Sequence, residues 1–194
     1  MERDEHTAER TAQYTELYSD RLLELYGTGV FTVFDTETTG LDPATERIVE
    51  IGALRFDRHG IISRFTVLIN PQKPMPQEAA KINGITDELL RGKPAIAEVL
   101  PDFLSFIGKT PLVAHNAPFD ISFLNAELSR CGFTSIDNRL IDTLALSKKT
   151  FPQLGKYSLP FLASHFGIES GNAHRAEDDA RVCMELFSIC VNGK

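Results

Sequence analysis

Apolar residues along this chain fall first into short runs with strand-like spacing and then into stripes with helical spacing. Three strand-like runs open the body of the sequence, at residues 30–34, 48–56 and 61–69. The pieces around "DPATER" and "DRHG" read as connections, which gives the sheet an antiparallel start. The three prolines of "INPQKPMPQ" break the pattern. Helical spacing takes over from about residue 78, is interrupted at "NGITD", and returns over residues 96–107. "PLVAHN" (111–116) reads as a short apolar strand and residues 119–131 as the helix after it. "RLIDTLAL" runs from strand into helix, and two last helices cover about 159–166 and 176–191. Strands paired first and then alternating with helices predict an α/β fold, a mixed β-sheet flanked by α-helices. Ahead of it, Tyr14, Leu17, Tyr18, Leu22 and Leu25 recur at helical spacing, with Gly27 and Gly29 closing the segment. This divides the chain into an N-terminal helical extension, 1–28, and a main domain, 29–194. The extension reads as a helix packed across the body, with docking of a partner as the alternative.

Acidic residues break into this apolar pattern. In "TVFDTETTGLD" (32–42) a strand ends in Asp35 and Glu37. Alternate side chains of a strand share a face, so the two carboxylates project together, with Cα atoms roughly 6.5 Å apart at about 3.3 Å per residue. At an effective dielectric near 20, bare charges at that separation repel by about 2.5 kcal/mol. Something positive is needed beside them. Asp120 sits in the otherwise apolar "LVAHNAPFDISFL", where a strand passes into a helix. In "NAHRAEDDARVCMELFSIC", Ala176, Asp179, Cys183, Leu186 and Cys190 form one helical stripe. At about 100° per residue Asp179 lies at its centre, and Asp178, about 100° away, faces water. A carboxylate on a packing face must be neutral, paired or bound to metal. Singly, Asp35 could be a turn acid, Asp120 a helix N-terminal charge and Asp179 a partner for arginine. Jointly, four acids near the ends of strands and helices offer all-oxygen ligands, which select a hard cation such as Mg²⁺ or Mn²⁺. No Cys/His cluster offers a zinc site.

Composition changes this picture little. The length of 194 residues suits one domain with a substantial core. The charged start "MERDEHTAER" is no signal peptide and no apolar run approaches ~18 residues, so a soluble, cytoplasmic protein without membrane contact is expected. Cys131, Cys183 and Cys190 lack CxxC spacing. The last two would lie about 10.5 Å apart along one helix, beyond disulfide reach. All three read as small buried apolar residues in a reducing compartment. The net charge of −7 argues against a strong duplex binder. Residues 1–28 hold seven acids and three bases, so they supply −4 and leave −3 for the remainder. Two divalent cations would turn that −3 into +1, which suits a site that catches a strand end.

Three stretches carry a family resemblance: "FDTETTGL", "AHNAPFD" and "HRAEDDA", in that order, with "INGIT" at 82–86. Over about residues 29–191 the chain resembles the DEDDh 3′–5′ exonucleases, which have the ribonuclease H-like fold. Within that family it is most similar to the epsilon-type proofreading exonucleases of bacterial replicative polymerases. The resemblance implies that Asp35, Glu37, Asp120 and Asp179 hold two Mg²⁺ or Mn²⁺ ions and that His174 is the general base. His174 precedes Asp179 by five positions, as the histidine branch of the family requires. It further implies that Thr38 and the backbone from Thr36 to Gly40 meet the terminal nucleotide, with Leu41 wedged beside its base. Phe119, Ile82 and Asn83 would line the base pocket, although related sequences often carry histidine at the Asn83 position. For Leu41 and Phe119, core packing is the competing reading. His115 and Asn116 are candidates to orient Asp120. Lys148, Lys149, Lys156 and Arg175 are candidate phosphate contacts, with solvated surface as the alternative for the lysines.

The implied activity is metal-dependent release of nucleoside 5′-monophosphates from single-stranded or frayed DNA 3′ ends, in proofreading or repair. DNA is favoured over RNA, and polymerase subunits are the implied protein partners. RNA 3′-end trimming is the alternative in the same fold; a non-catalytic end-binding or polymerase accessory module is the alternative from another class. A replicative subunit of this family implies a C-terminal polymerase-binding tail. This sequence stops within about ten residues of its last predicted helix, which leaves a free-standing enzyme open. No sequence feature fixes an oligomeric state.

Overall fold

Both faces of the central strand, β1 (Phe31–Thr38), are covered, and its apolar residues divide between them by the two-residue period of a strand. Phe31 and Val33 face one core and Phe34 the other. The computed structural model describes residues 22–171 and 175–193. β1 pairs antiparallel with β2 (Ile48–Asp57), and β2 antiparallel with β3 (Gly60–Leu68). On its other side β1 pairs in parallel with the short β4 (Leu112–Ala114), and β4 in parallel with β5 (Leu140–Asp142). The order β3-β2-β1-β4-β5 is the mixed sheet the sequence predicts.

One core lies under α4 (Ile96–Ile107) and α5 (Ala117–Arg130) and takes in Phe34, Ile51 and Leu112. The other gathers Val33, Leu54 and Val113 against α1 (Leu22–Thr28), α6 (Thr143–Thr150), α7 (Leu159–Phe166) and α8 (Ala176–Asn192). Two short helices, α2 (Gln77–Asn83) and α3 (Asp87–Leu90), close a small third cluster around Val49, Met75 and Ile85. A bidentate pair ties α5 to the start of β2: Arg47 Nε and Nη2 meet Glu127 Oε1 and Oε2 at 2.7 and 3.0 Å.

α8 comes down on β2 at Gly52. A Cβ there would lie 2.2 Å from the Ala176 carbonyl carbon and the Glu177 nitrogen, so only glycine admits the helix. α1 packs on α8: Tyr26 stands edge-on to Phe187 at 5.6 Å and its hydroxyl donates to Ser188 Oγ at 2.9 Å. The part of the expected N-terminal helix at residues 1–21, with Tyr14, Leu17 and Tyr18, lies outside the described residues.

Two expectations need correcting. The first strand runs on past Phe34 to Thr38, so Asp35 and Glu37 lie within it rather than at its end; β2 stays paired with β1 as far as Ile48. Cys131 is half-buried at the C-terminus of α5, while Cys183 and Cys190 are buried; all three thiols are free.

Candidate active site

The odd residues of β1 face α8, which puts Asp35 and Glu37 opposite the start of that helix. There they meet Asp179. One carboxylate oxygen of each of the three lies within 4.8 Å of the others. Asp179 is half-buried within the packed stripe formed by Ala176, Ala180, Val182, Cys183, Leu186, Phe187 and Cys190. Asp178 is not simply turned to water: it accepts from Gly171 N–H at 2.7 Å and pairs with Arg181 at 2.8 Å.

The fourth acid arrives from the other face of the sheet. Thr32 N–H points toward β4, donating to Pro111 O at 3.0 Å, and the even residues that follow point the same way. Because β4 stops at Ala114, the Thr36 N–H passes the end of the ladder. Asp120, in the first turn of α5, takes its place: Oδ1 accepts from Thr36 N at 2.9 Å and from Thr36 Oγ1 at 2.8 Å. Asp120 is 3% exposed and is the strongest charged neighbour of Asp35. Since Thr36 gives both donors to Asp120, its amide is not available to a nucleotide.

Crowding of this kind shows in the protonation of the acids. Burial first, then the charges of Asp120, Glu37 and Asp179, hold the Asp35 carboxyl well above its ordinary range. Burial, then Asp179 and Glu50, push Glu37 up to about 7, against a lowering contribution from Asn83. Asp120 is raised to about 7 by burial, although the two Thr36 hydrogen bonds oppose it. Acids so placed retain protons until a cation compensates them, and an all-carboxylate donor set fits a hard divalent cation.

The positive side chain beside this cluster is Arg175. It contacts Glu50 of β2 through Nη2 at 2.8 Å and Nε at 3.2 and 3.3 Å, and Glu37 is among the charges acting on it. Glu50 stands directly across the ladder from Glu37. Arg175, read as a phosphate contact, is thus an ion-pair partner within the site.

Other candidates sort by contact. Leu41 is 85% exposed, which removes core packing as its explanation, and Ile82 is 64% exposed. Thr38 Oγ1 donates to Gly40 O at 2.6 Å and so shapes the turn before Leu41. Asn83 is buried; its Nδ2 donates to Thr38 O at 3.3 Å and its Oδ1 accepts from Ile85 N at 3.0 Å, so it joins α2 to the end of β1. Phe119 is half-buried against Phe123, ring centroids 5.0 Å apart.

His115 and Asn116 have no hydrogen bond to Asp120. His115 Nε2 meets Tyr157 O and Nδ1 meets Thr143 Oγ1, both at 2.9 Å, and burial pushes its pKa down. Asn116, at φ 62°, makes the left-handed turn into α5 that asparagine tolerates. That turn is held by Asp142, whose Oδ1 accepts from Asn116, Ala117 and Leu144 N–H at 2.8, 3.3 and 3.0 Å. Lys148, Lys149 and Lys156 are exposed; Lys148 and Lys156 line an open cleft with His115 and Tyr157. His174 lies outside the described residues.

Sequence reading missed Glu50 and Asp142. Glu50 interrupts the apolar "IVEIGAL" as Asp35 interrupts β1, and the alternation rule applied there could have found it. Asp142, just before a helix in "LIDTLAL", carries an ordinary N-cap signal.

The sequence profile of the family described as Exonuclease matches residues 32–187. The chain is 53% identical over 163 residues to DNA polymerase III subunit epsilon of Treponema pallidum, covering 83% of this chain and 76% of that protein. It is 40% identical over 159 residues to DNA polymerase III PolC-type of Caldanaerobacter subterraneus subsp. tengcongensis, covering 82% of this chain but 11% of that much longer protein. Among solved structures, exonuclease X in complex with 5′ overhanging duplex DNA superposes with a TM-score of 0.68 at 28% identity, covering 84% of this chain and 91% of that one.

Proposed function

The chain belongs to the DEDDh exonuclease family, on the ribonuclease H-like fold, and is a 3′–5′ exonuclease most similar to the epsilon type; on that premise we propose how its residues divide the reaction and on what substrate. The observation that carries the reading is the cluster of Asp35, Glu37 and Asp179, with Asp120 docked beside it through Thr36.

Asp35, Glu37, Asp120 and Asp179 would hold two Mg²⁺ or Mn²⁺ ions, which would supply Lewis-acid activation and charge neutralisation for phosphodiester hydrolysis. His174 accepts the proton of the attacking water; the new P–O bond forms as the bond from phosphorus to the 3′ oxygen breaks, and a nucleoside 5′-monophosphate leaves. The turn at Thr38 and Gly40 presents Leu41 to the terminal base, and Ile82 adds apolar surface at the end of α2, which Asn83 joins to that turn. Phe119 lies one residue before Asp120 and backs the same region. Residues 29–194 form the catalytic domain; of the N-terminal extension, residues 1–28, the described part, α1, packs against it.

DNA is the proposed substrate, because the epsilon relative is a DNA polymerase subunit and exonuclease X was solved with DNA. A polymerase subunit is the proposed partner, and the cytoplasm the proposed setting. Among the described residues, no helix is long and apolar enough to cross a membrane.

Matched DNA and RNA oligonucleotides, 5′-labelled, with free or blocked 3′ ends, test this in Mg²⁺. The free DNA strand should shorten one nucleotide at a time and the blocked strand should persist. Cutting of circular single strands would refute the polarity, and faster RNA degradation would refute the substrate. His174→Ala should lose about 10²–10⁴-fold in kcat while still binding metal and single strands.

A further inference from the structure

Glu50 is a carboxylate with 1% exposure in the middle of an apolar strand, and the reaction as written above does not use it. Its position adds repulsion to the crowded site, since its charge acts on both Glu37 and Asp35. What compensates it lies at the start of α8. Glu50 grips the Arg175 guanidinium through both carboxylate oxygens, and its Oε2 also accepts from the Ala176 N–H at 3.2 Å. Arg175, the residue at the N-cap position of α8, makes no side-chain cap of its own. Glu50 therefore caps the helix from another strand.

Two residues along the same face of β2 is Gly52, where the absent Cβ lets the Ala176–Glu177 backbone rest on the strand. The turn is held outward as well: Glu177 accepts from Arg64 Nη1 at 2.7 Å and Thr66 Oγ1 at 2.6 Å, both on β3. Asp178 holds Gly171 N–H at 2.7 Å. The chain is thus anchored at Gly171 and again from Arg175 onward, with Arg175 covalently next to His174. Asp179 has independent support, because α8 is packed through Ala180, Cys183 and Phe187.

We propose that Glu50 is a positioning residue for the hydrolytic step: through Arg175 and the first amide of α8 it holds the residue that directly follows His174 in the chain. The proposal rests on the reading of His174 as the general base. Glu50 acts on the rate of the chemical step; because its charge also acts on Glu37 and Asp35, that effect is read at saturating metal.

The test uses the full chain with Glu50→Ala, Glu50→Gln, His174→Ala and the Glu50→Ala/His174→Ala double variant. The readouts are kcat and KM on a 5′-labelled DNA strand in Mg²⁺, Mn²⁺ affinity by calorimetry, and thermal unfolding. Misplacing a catalytic group by about 1 Å costs about 10²-fold, so Glu50→Ala should lose about that much kcat at saturating metal with KM little changed. Glu50→Gln, which keeps an acceptor, should recover part of the rate. The double variant should be no slower than His174→Ala alone, because the two losses share one route. Unchanged kcat in Glu50→Ala at saturating metal, or losses that multiply in the double variant, would each overturn the proposal. If Glu50→Ala does not fold, Glu50→Gln and Arg175→Lys, each combined with His174→Ala, carry the same comparison. A near wild-type rate in His174→Ala refutes the general-base reading itself. A slow His174→Ala beside a fast Glu50→Ala refutes only the role of Glu50.

Discussion

Thr36 joins β1 to α5, the helix that carries the fourth acid. Its N–H and hydroxyl converge on one oxygen of Asp120, so a strand amide beyond the end of β4 and a buried acid satisfy each other. Hydrogen bonds to a charged group contribute about 1.5–3 kcal/mol, against about 1 kcal/mol for neutral ones. Thr36→Val keeps the shape and the strand preference but removes the hydroxyl. With one lowering contact gone, Asp120 should move further above about 7, and the site should hold cations less well. Mn²⁺ titration calorimetry at neutral pH should show weaker binding for Thr36→Val and near wild-type binding for Thr36→Ser. Equal affinity in all three would mean that Thr36 does not support the Asp120 carboxylate. The same residue shows what a sequence hides. Asp120 was legible as an acid out of place among apolar neighbours. Its contact with Thr36 was not, because it spans 84 residues and exists only since β4 stops at Ala114.

Within a single element the periods of strand and helix made much of the site readable. The two-residue period put Asp35 and Glu37 on one face, and the helical period put Asp179 on the side of α8 that meets them. Contacts between elements were out of reach: Glu50 faces Glu37 only through the β1–β2 register, and Asp142 reaches the α5 turn only through the β4–β5 pairing. His115 and Asn116 were misassigned for the same reason, since adjacency to Asp120 in sequence gave no direction in space. Gly52 belongs to this scale because it decides how two elements meet. A Cβ there would sit 2.2 Å from backbone atoms of Ala176 and Glu177, and backbone cannot yield as a side-chain tip can. Gly52→Ala should therefore lift the start of α8 away from β2. Overpacking of a core costs about 1–3 kcal/mol, occasionally more. Urea unfolding should show a loss of that order, with a fall in exonuclease rate because Asp179 moves with the helix. Wild-type stability and rate in this variant would contradict the seating of α8 on β2.

For the whole molecule, the acids around Asp35 make folding, protonation and metal binding one linked equilibrium. Glu37 and Asp120 are raised to about 7 in the folded protein, and Asp35 is raised as well. A carboxylate whose folded pKa lies above its unfolded value of about 4 favours the folded state while it keeps its proton. That contribution is complete below about pH 4 and is lost as pH rises through about 7. Metal-free protein should therefore lose this part of its stability across that interval. A divalent cation needs the same groups deprotonated, so its binding releases protons and strengthens as pH rises. A ligand that binds only the folded state stabilises it in proportion to the logarithm of its concentration over Kd. The difference in Tm between Mg²⁺ and EDTA isolates the site from the other acids of a chain with net charge −7, which titrate in both conditions. That difference should be small near pH 5.5 and grow through about pH 7 to 8. Asp179→Asn removes one of the charges that raise Glu37, so the growth should be shallower and begin at lower pH. A gap between Mg²⁺ and EDTA that is equally large at acid and alkaline pH would show that cations stabilise the protein elsewhere than at these carboxylates.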